Sequence, residues 1–222
     1  MTELPSFGLY AITSDAVCAD EVRLLTAVEA ALRGGIALLQ YRDKHNGVAI
    51  RERLAGRLLN ICRAAHVPLI INDDVDLALA VGADGVHVGL SDCSPERARS
   101  KLGPAAIVGV TCSGSLSRAL AAEAAGASYV AFGAFFASST KPAAPLVCLD
   151  LLRQARAALR LPICAIGGIR PESGGALVHA GASYLAAIAG VFDTLDPEEA
   201  ARSYASAFGH GVDHPPGGSA FA

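Results

Sequence analysis

The sequence holds few aromatic residues, no long apolar run, no paired-cysteine motif and no marked excess of either charge. Aromatics make up 5% of the 222 residues while glycine occurs 23 times. Packing must therefore come from Ala, Val, Leu and Ile set against closely approaching backbones. Apolar residues reach 52%, yet Gly, Asp, Arg or Pro breaks each stretch before it could span a bilayer, so no membrane association is expected. Met1-Thr2-Glu3-Leu4-Pro5 lacks the basic flank and apolar core of a signal peptide. A formal charge of −3 gives no bulk attraction to nucleic acid, so any phosphate must be held by a local site. Cys18, Cys62, Cys93, Cys112, Cys148 and Cys164 form no CxxC pair and no finger-like cluster with histidine. They read as thiols of a reduced, cytoplasmic protein, not as a disulfide scaffold or zinc site. No Ser/His/Asp or Cys/His arrangement is visible, which argues against a side-chain nucleophile.

What is present is a strand–helix unit repeated about eight times. Apolar strands are predicted at 7–13, 34–44, 68–72, 85–89, 106–111, 128–133, 163–167 and 182–188, with helical segments between them. Gly34-Gly35 suits the end of a helix over 20–33, because glycine adopts the left-handed conformation such an end needs. Asn46 reads as the cap of the next helix, and Ser94-Pro95 as the start of another. Ala-Gly-Ala or Val-Gly-Ala precedes the fourth, sixth and eighth strands. Strands this apolar need cover on both faces, and a chain of this length predicts a single-domain (β/α)8 TIM barrel over residues 1–208. An open, doubly wound sheet with as many strands would need a longer chain. Residues 209–222, with Pro215-Pro216-Gly217-Gly218, lack periodicity and read as a flexible tail.

The strongest chemical signal lies in the second strand, Ile36-Ala37-Leu38-Leu39-Gln40-Tyr41-Arg42-Asp43-Lys44. On a two-residue period Gln40, Arg42 and Lys44 share one face while Tyr41 and Asp43 point the other way. A face that turns into an amide, a guanidinium and an ammonium has reached a polar cavity, and its cations call for an anion. A barrel gathers functional groups at the C-terminal ends of its strands. That rim would carry Asn72, Asp73 and Asp74, then Asp92, Thr111, Ser138, Thr140 and Lys141. Asp73 and Asp92, with the Asn72 amide, are hard oxygen donors suited to Mg²⁺. Arg42, Lys44 and Lys141 would clamp a polyphosphate, and a bridging cation reconciles them with the carboxylates. Asp73 has an alternative role as the cap of the helix that follows it, and Asp92 as a cap of the turn at Ser94-Pro95. Ile166-Gly167-Gly168-Ile169 offers a second anion grip, since glycines let backbone N–H groups approach a monophosphate. Backbone around Ile188 and Ala189 would join it. His87, between two valines, reads more readily as a structural residue facing the barrel than as a catalytic one.

Taken together, Leu9-Tyr10-Ala11-Ile12-Thr13, Gln40-Tyr41-Arg42-Asp43-Lys44, Ile71-Asn72-Asp73, Gly85-Val86-His87-Val88-Gly89 followed by Asp92, Gly133 with Thr140-Lys141, and Ile166-Gly167-Gly168-Ile169 resemble the thiamine phosphate synthase family. The resemblance runs in matching order over about residues 7–191. It implies an Mg²⁺-dependent transferase that joins 4-amino-2-methyl-5-hydroxymethylpyrimidine diphosphate to a thiazole monophosphate (or its carboxylate form), releasing pyrophosphate. The implied path ionises the pyrimidine methylene–oxygen bond, and the thiazole nitrogen captures the resulting cation. Carried over by position, Gln40, Arg42, Lys44 and Asn72 would hold the pyrimidine diphosphate. Thr111, a hydroxyl where serine is usual, would contact the same substrate, and Lys141 its diphosphate. Ser138, Thr140, Gly168, Ile188 and Ala189 would surround the thiazole phosphate, and Asp73 and Asp92 would ligate Mg²⁺. Catalysis would rest on Arg42, Lys44, Thr111 and Lys141.

The implied partners are these two small molecules, with a homodimer left open. The chain departs from the family pattern at Asp74, where arginine is frequent, at Ala134 and Ala137, where prolines are usual, at Tyr184, where glycine is, and at Ala189, where serine is. These changes bear on turnover and thiazole affinity more than on reaction class. Two other readings share the barrel. A thiazole tautomerase would not need Lys44, Asp73, Asp92 and Lys141 together, and a non-catalytic thiamine-phosphate-binding regulator has little reason to keep a metal site.

Overall fold

A computed structural model describes residues 3–89, 91–138 and 145–209. Eight strands close into a barrel in sequence order, all neighbours parallel. They are β1 (Gly8–Ile12), β2 (Leu38–Tyr41), β3 (Leu69–Asn72), β4 (Gly85–Val88), β5 (Ile107–Ser113), β6 (Tyr129–Phe132), β7 (Ile163–Ile166) and β8 (Tyr184–Ala187). The principal helices between them are α2 (Glu21–Arg33), α3 (Val48–Ala64), α4 (Val75–Val81), α5 (Pro95–Leu102), α6 (Leu116–Ala124), α7 (Leu149–Ala158) and α8 (Pro171–His179), and α10 (Pro197–Ala205) closes the ring. Two short helices, α1 (Asp15–Cys18) and α9 (Ala189–Phe192), lie in the loops after β1 and β8. Both are too short to leave a periodic trace in the sequence. The helix expected over 197–208 ends in a 3₁₀ turn, Ser206–Phe208.

Alternation along each strand builds two cores. Leu9 and Ala11 of β1 face the helices, joined by Leu39, Ile71 and Val86, while Leu24, Val28 and Ala31 of α2 pack down on them. Burying one such Leu or Val side chain contributes about 1.5–3 kcal/mol before entropy is counted. Tyr10 and Ile12 face the barrel axis instead, with Leu38, Ile70, Tyr129, Cys164 and Tyr184. The strands thus need apolar residues at both parities, which is why they read as continuous apolar runs.

The caps show which local predictions hold. Asp20 accepts from Arg23 N at 2.9 Å and starts α2, and Ser94 caps α5 ahead of Pro95. After α2 the left-handed residue is Gly35, with φ +87°, not Gly34. A Cβ on Gly34 would lie 2.5 Å from the Glu198 carbonyl oxygen, so that glycine lets α10 pack closely against α2. Asn46 does not cap α3. Gly47 occupies that position without a side-chain bond, and the Asn46 side chain is turned to donate its amide N–H groups to the Cys18 carbonyl and the Asp43 carboxylate, each at 2.9 Å. Tyr184 is buried inside the barrel, and its hydroxyl donates to the Pro5 carbonyl. A glycine there would leave this end of the barrel unfilled.

Candidate active site

Parallel closure puts all eight C-terminal strand ends on one rim. At the end of β2 the chain leaves the strand after Tyr41, so the alternation expected over Gln40, Arg42 and Lys44 does not continue. Gln40 is buried within the barrel, where its Nε2 donates to the Tyr10 hydroxyl at 2.7 Å. Thr13 clasps the next turn, its hydroxyl accepting from Arg42 N at 2.8 Å and donating to Arg42 O at 2.9 Å. The Arg42 guanidinium turns to Asp15 of α1, meeting its two carboxylate oxygens at 3.2 and 3.1 Å. Asp43 accepts from the Tyr41 hydroxyl, His45 N, Asn46 N and the Asn46 amide, and it lines the same cavity as Lys44, not the opposite face that strict alternation would give it. Against the cost of burial, these bonds hold its carboxyl below the ordinary carboxylate value. Beside it, Lys44 Nζ lies 3.6 Å from Asp73 Oδ2.

The end of β3 separates two neighbouring carboxylates by role. Asp74 is the N-cap of α4, one oxygen accepting from Leu77 N at 2.9 Å and the other pairing with Arg51 at 2.7 Å. Asp73 is thereby released from the capping role that was its alternative. It sits at φ +61°, a conformation costly for a side chain with a Cβ, and its N–H donates to the His87 carbonyl at 2.8 Å. Asp92 is not the cap of α5 either, since Ser94 is. Its Oδ2 accepts from Gly89 N at 2.8 Å, which ties Asp92 to the end of β4. Burial, together with the nearby Asp92 carboxylate, pushes the Asp73 carboxyl above its ordinary value. Lys44, Asn72 and Asp73 line a cavity of about 510 Å³, together with Arg51 and Arg97.

This donor set fits a small hard dication. Two crowded carboxylates with an amide beside them supply few protein ligands, and Mg²⁺ accepts that when waters and phosphate oxygens complete its shell. Among the described residues no group of three or more His, Cys, Asp and Glu forms a closed metal cage.

Inside the barrel, Thr111 Oγ1 meets His87 Nε2 at 2.8 Å. On the β7 side of the same rim, Gly167 and Gly168 have φ +104° and +60°. Cβ atoms there would strike Ala134 and the Ala137 carbonyl, while Phe135 N and Phe136 N donate to the Ile166 and Gly167 carbonyls at 3.1 and 2.9 Å. The glycine pair therefore docks the loop after β6, a reason for glycine independent of any phosphate. Ile188 caps α9 and Ala189 is its first residue. Ser138 is half-buried at the end of the described part of that loop, and Thr140 and Lys141 lie outside the described residues.

A family model described as thiamine monophosphate synthase matches residues 9–191. The chain belongs to the thiamine monophosphate synthase family. It is 50% identical over 204 residues to a thiamine-phosphate synthase of Methylococcus capsulatus, covering 92% of this chain and 90% of that protein. It is 51% identical over 201 residues to one from an Azoarcus species, covering 90% and 97%. Among solved structures, a thiamine phosphate pyrophosphorylase from Pyrococcus furiosus superposes with a TM-score of 0.81 at 29% identity, covering 91% of this chain and 95% of that one. A 3-hexulose-6-phosphate synthase, at 20% identity and TM-score 0.66, shares the fold.

Within this family setting, the structure brings Lys44, Asn72, Asp73 and Asp92 together and sets Gln40 and Thr111 inside the barrel behind them. Arg42 reaches the same rim but is tied to Asp15, a partner no sequence pattern announced. Tyr10 and Tyr129, which the sequence reading did not single out, lie directly behind Gln40, the Tyr10 hydroxyl bonded to both Gln40 and Tyr129. Their inward register in an apolar strand was legible, but a phenol in a barrel core is as often packing as chemistry.

Proposed function

We propose that this chain makes thiamine phosphate by joining the hydroxymethylpyrimidine diphosphate to the thiazole monophosphate, with Mg²⁺ held by Asp73 and Asp92. The observation that carries the metal assignment is the pairing of those carboxylates beside Lys44 while Asp74 alone caps α4. Bound Mg²⁺ would supply neutralising charge for the pyrophosphate leaving group. Gln40, Asn72 and Thr111 hold the pyrimidine diphosphate, and Arg42, Lys44 and Lys141 would place cationic donors around its phosphates. Ser138, Thr140 and backbone at Gly168, Ile188 and Ala189 receive the thiazole phosphate. The chain's own task is positioning, which sets the thiazole nitrogen against the pyrimidine methylene carbon as the carbon–oxygen bond breaks.

No protein nucleophile is called for, and burial pushes the thiol near the rim, Cys112, up to about 11, which keeps it protonated and unreactive. A cytoplasmic setting accords with six unpaired cysteines.

The test mixes purified protein with both substrates and Mg²⁺ and measures thiamine phosphate and pyrophosphate in equal amounts. EDTA should abolish product, and added Mg²⁺ should restore it. Product formed at an undiminished rate in EDTA would remove the metal assignment, and absence of product under conditions that support a related synthase would remove the reaction itself. Turnover of an isomeric thiazole carboxylate phosphate without diphosphate or metal would replace this reading with that of a tautomerase.

A further inference from the structure

A line of hydrogen bonds crosses the barrel interior from β2 to β5, joining Gln40 to Thr111 through three side chains that the chemistry above does not use. Gln40 Nε2 meets the Tyr10 hydroxyl at 2.7 Å, and that hydroxyl meets the Tyr129 hydroxyl at 2.7 Å. The Tyr129 hydroxyl meets His87 Nδ1 at 2.9 Å, and His87 Nε2 meets Thr111 Oγ1 at 2.8 Å. The fold makes room for this line. Gly109 of β5 stands where a Cβ would lie 2.1 Å from Tyr129 Cζ, so only a glycine lets the Tyr129 ring extend across the barrel. There it crosses Tyr10 edge-on, with ring centroids 5.7 Å apart, and stacks on His87 at 5.6 Å.

Donor counting gives the line a direction. An amide nitrogen only donates, so the Tyr10 hydroxyl accepts from Gln40 and has one proton to pass on. That proton goes to the Tyr129 oxygen, whose own proton goes to His87 Nδ1. His87 is then neutral with its proton on Nε2, and it donates to Thr111 Oγ1. Burial holds both phenols well above their ordinary values, so each keeps the proton this scheme requires. At the two ends, Gln40 Oε1 has no hydrogen-bond partner among the described residues, and the Thr111 hydroxyl proton is left for a group outside the line.

We propose that Tyr10, Tyr129 and His87 are positioning residues: a one-way hydrogen-bond relay that makes Gln40 present an acceptor and Thr111 a donor to the pyrimidine diphosphate. This rests on the assignment of Gln40 and Thr111 to that substrate. An acceptor at Gln40 suits the exocyclic amine of an aminopyrimidine, and a donor at Thr111 suits a phosphate oxygen. Reversing the relay would put a donor against the amine and a bare oxygen against the phosphate. Because every member has a single proton to place, the two ends cannot change independently.

The test reads the His87 tautomer by two-bond ¹H–¹⁵N correlation in the ligand-free protein. Wild type should carry the proton on Nε2. Gln40→Glu, whose ionised carboxylate can only accept, should move a proton onto Nδ1 through both tyrosines. In a Tyr129→Phe background the same Gln40→Glu change should leave His87 unmoved. In steady-state kinetics Tyr129→Phe alone should raise KM for the pyrimidine diphosphate about tenfold, the loss of roughly one hydrogen bond, with KM for the thiazole phosphate within about twofold. A wild-type proton on Nδ1, a His87 that ignores Gln40→Glu, or a Tyr129→Phe enzyme with unchanged KM would each overturn the relay. A His87 that responds as stated in a protein unable to form thiamine phosphate would leave the relay standing and remove the substrate assignment instead.

Discussion

Replacing Asp92 with Asn should make the metal-free protein more stable and less active at the same time. The substitution keeps an oxygen able to accept from Gly89 N, so the loop after β4 retains its tie, while one of two crowded negative charges disappears. Two unit charges about 4 Å apart repel by ~1 kcal/mol in bulk water and ~4 kcal/mol at the effective dielectric of a protein surface. The Asp73 side chain is 35% exposed and Lys44 Nζ lies 3.6 Å away. Both facts pull the net penalty to the low end, about 1 kcal/mol. For a domain of this size that is a rise of about 2–4 °C in the melting temperature of the EDTA-treated protein.

The pH dependence follows from the direction of the Asp73 shift. Its carboxyl lies above its ordinary value in the folded state. Its contribution to stability is therefore present below the unfolded-state pKa and lost as pH rises through the folded-state one. The repulsion exists only when both groups are ionised, so the advantage of Asp92→Asn should be full near neutrality and vanish as acid protonates Asp73. Turnover should fall by about 10²-fold, with a raised Mg²⁺ requirement, and thiazole phosphate binding should change little. Differential scanning calorimetry in EDTA from about pH 4 to 8, beside a steady-state assay, measures both arms across the carboxylate range. A metal-free variant less stable than wild type near neutral pH would show that Asp92 serves the loop and not the cation, and the paired-carboxylate argument would fail.

Asp74→Ala should cost about 1–2 kcal/mol in chemical denaturation, the loss of an N-cap plus a half-buried ion pair, and Asp74→Asn should restore most of it by keeping the bond from Leu77 N. Gly109→Ala should destabilise by about 1–3 kcal/mol, because the new methyl has to displace the buried Tyr129 ring, and an unchanged denaturation midpoint would contradict the packing described. With iodoacetamide near pH 8, mass spectrometry should find Cys148 labelled first, since it is exposed. Cys18 and Cys62, pushed up to about 12 by burial, should stay protonated and protected until the protein unfolds.

The barrel itself was legible because its cause is local and repeated. Apolar strands with a cap or a glycine at each junction leave few topologies, and most predicted segments hold within two or three residues. The exceptions are instructive. Asn46 has the right chemistry for a cap, but the capping position belongs to Gly47, and the Asn46 amide donates instead to Asp43 of its own turn and to the distant Cys18 carbonyl. The predicted alternation of Gln40, Arg42 and Lys44 assumed a strand that continues past Tyr41, whereas the Thr13 hydroxyl bends the backbone there. Asp73 and Asp74 are equally good caps in sequence, and only the fold shows which one is used.

What the order of residues determined by itself was composition at each end of each strand: apolar residues along the wall, with amide, carboxylate, hydroxyl and cation types at one rim. Those depend on neighbours a few positions apart, where periodicity and capping rules operate. Tertiary structure alone decided which of those groups meet. Asp73 faces Asp92 because β3 lies beside β4, and Gln40 is linked to Thr111 because a glycine on β5 lets a phenol from β6 cross the barrel. Contacts between groups so far apart in the chain are set by closure of the sheet, and no local pattern encodes the register of that closure.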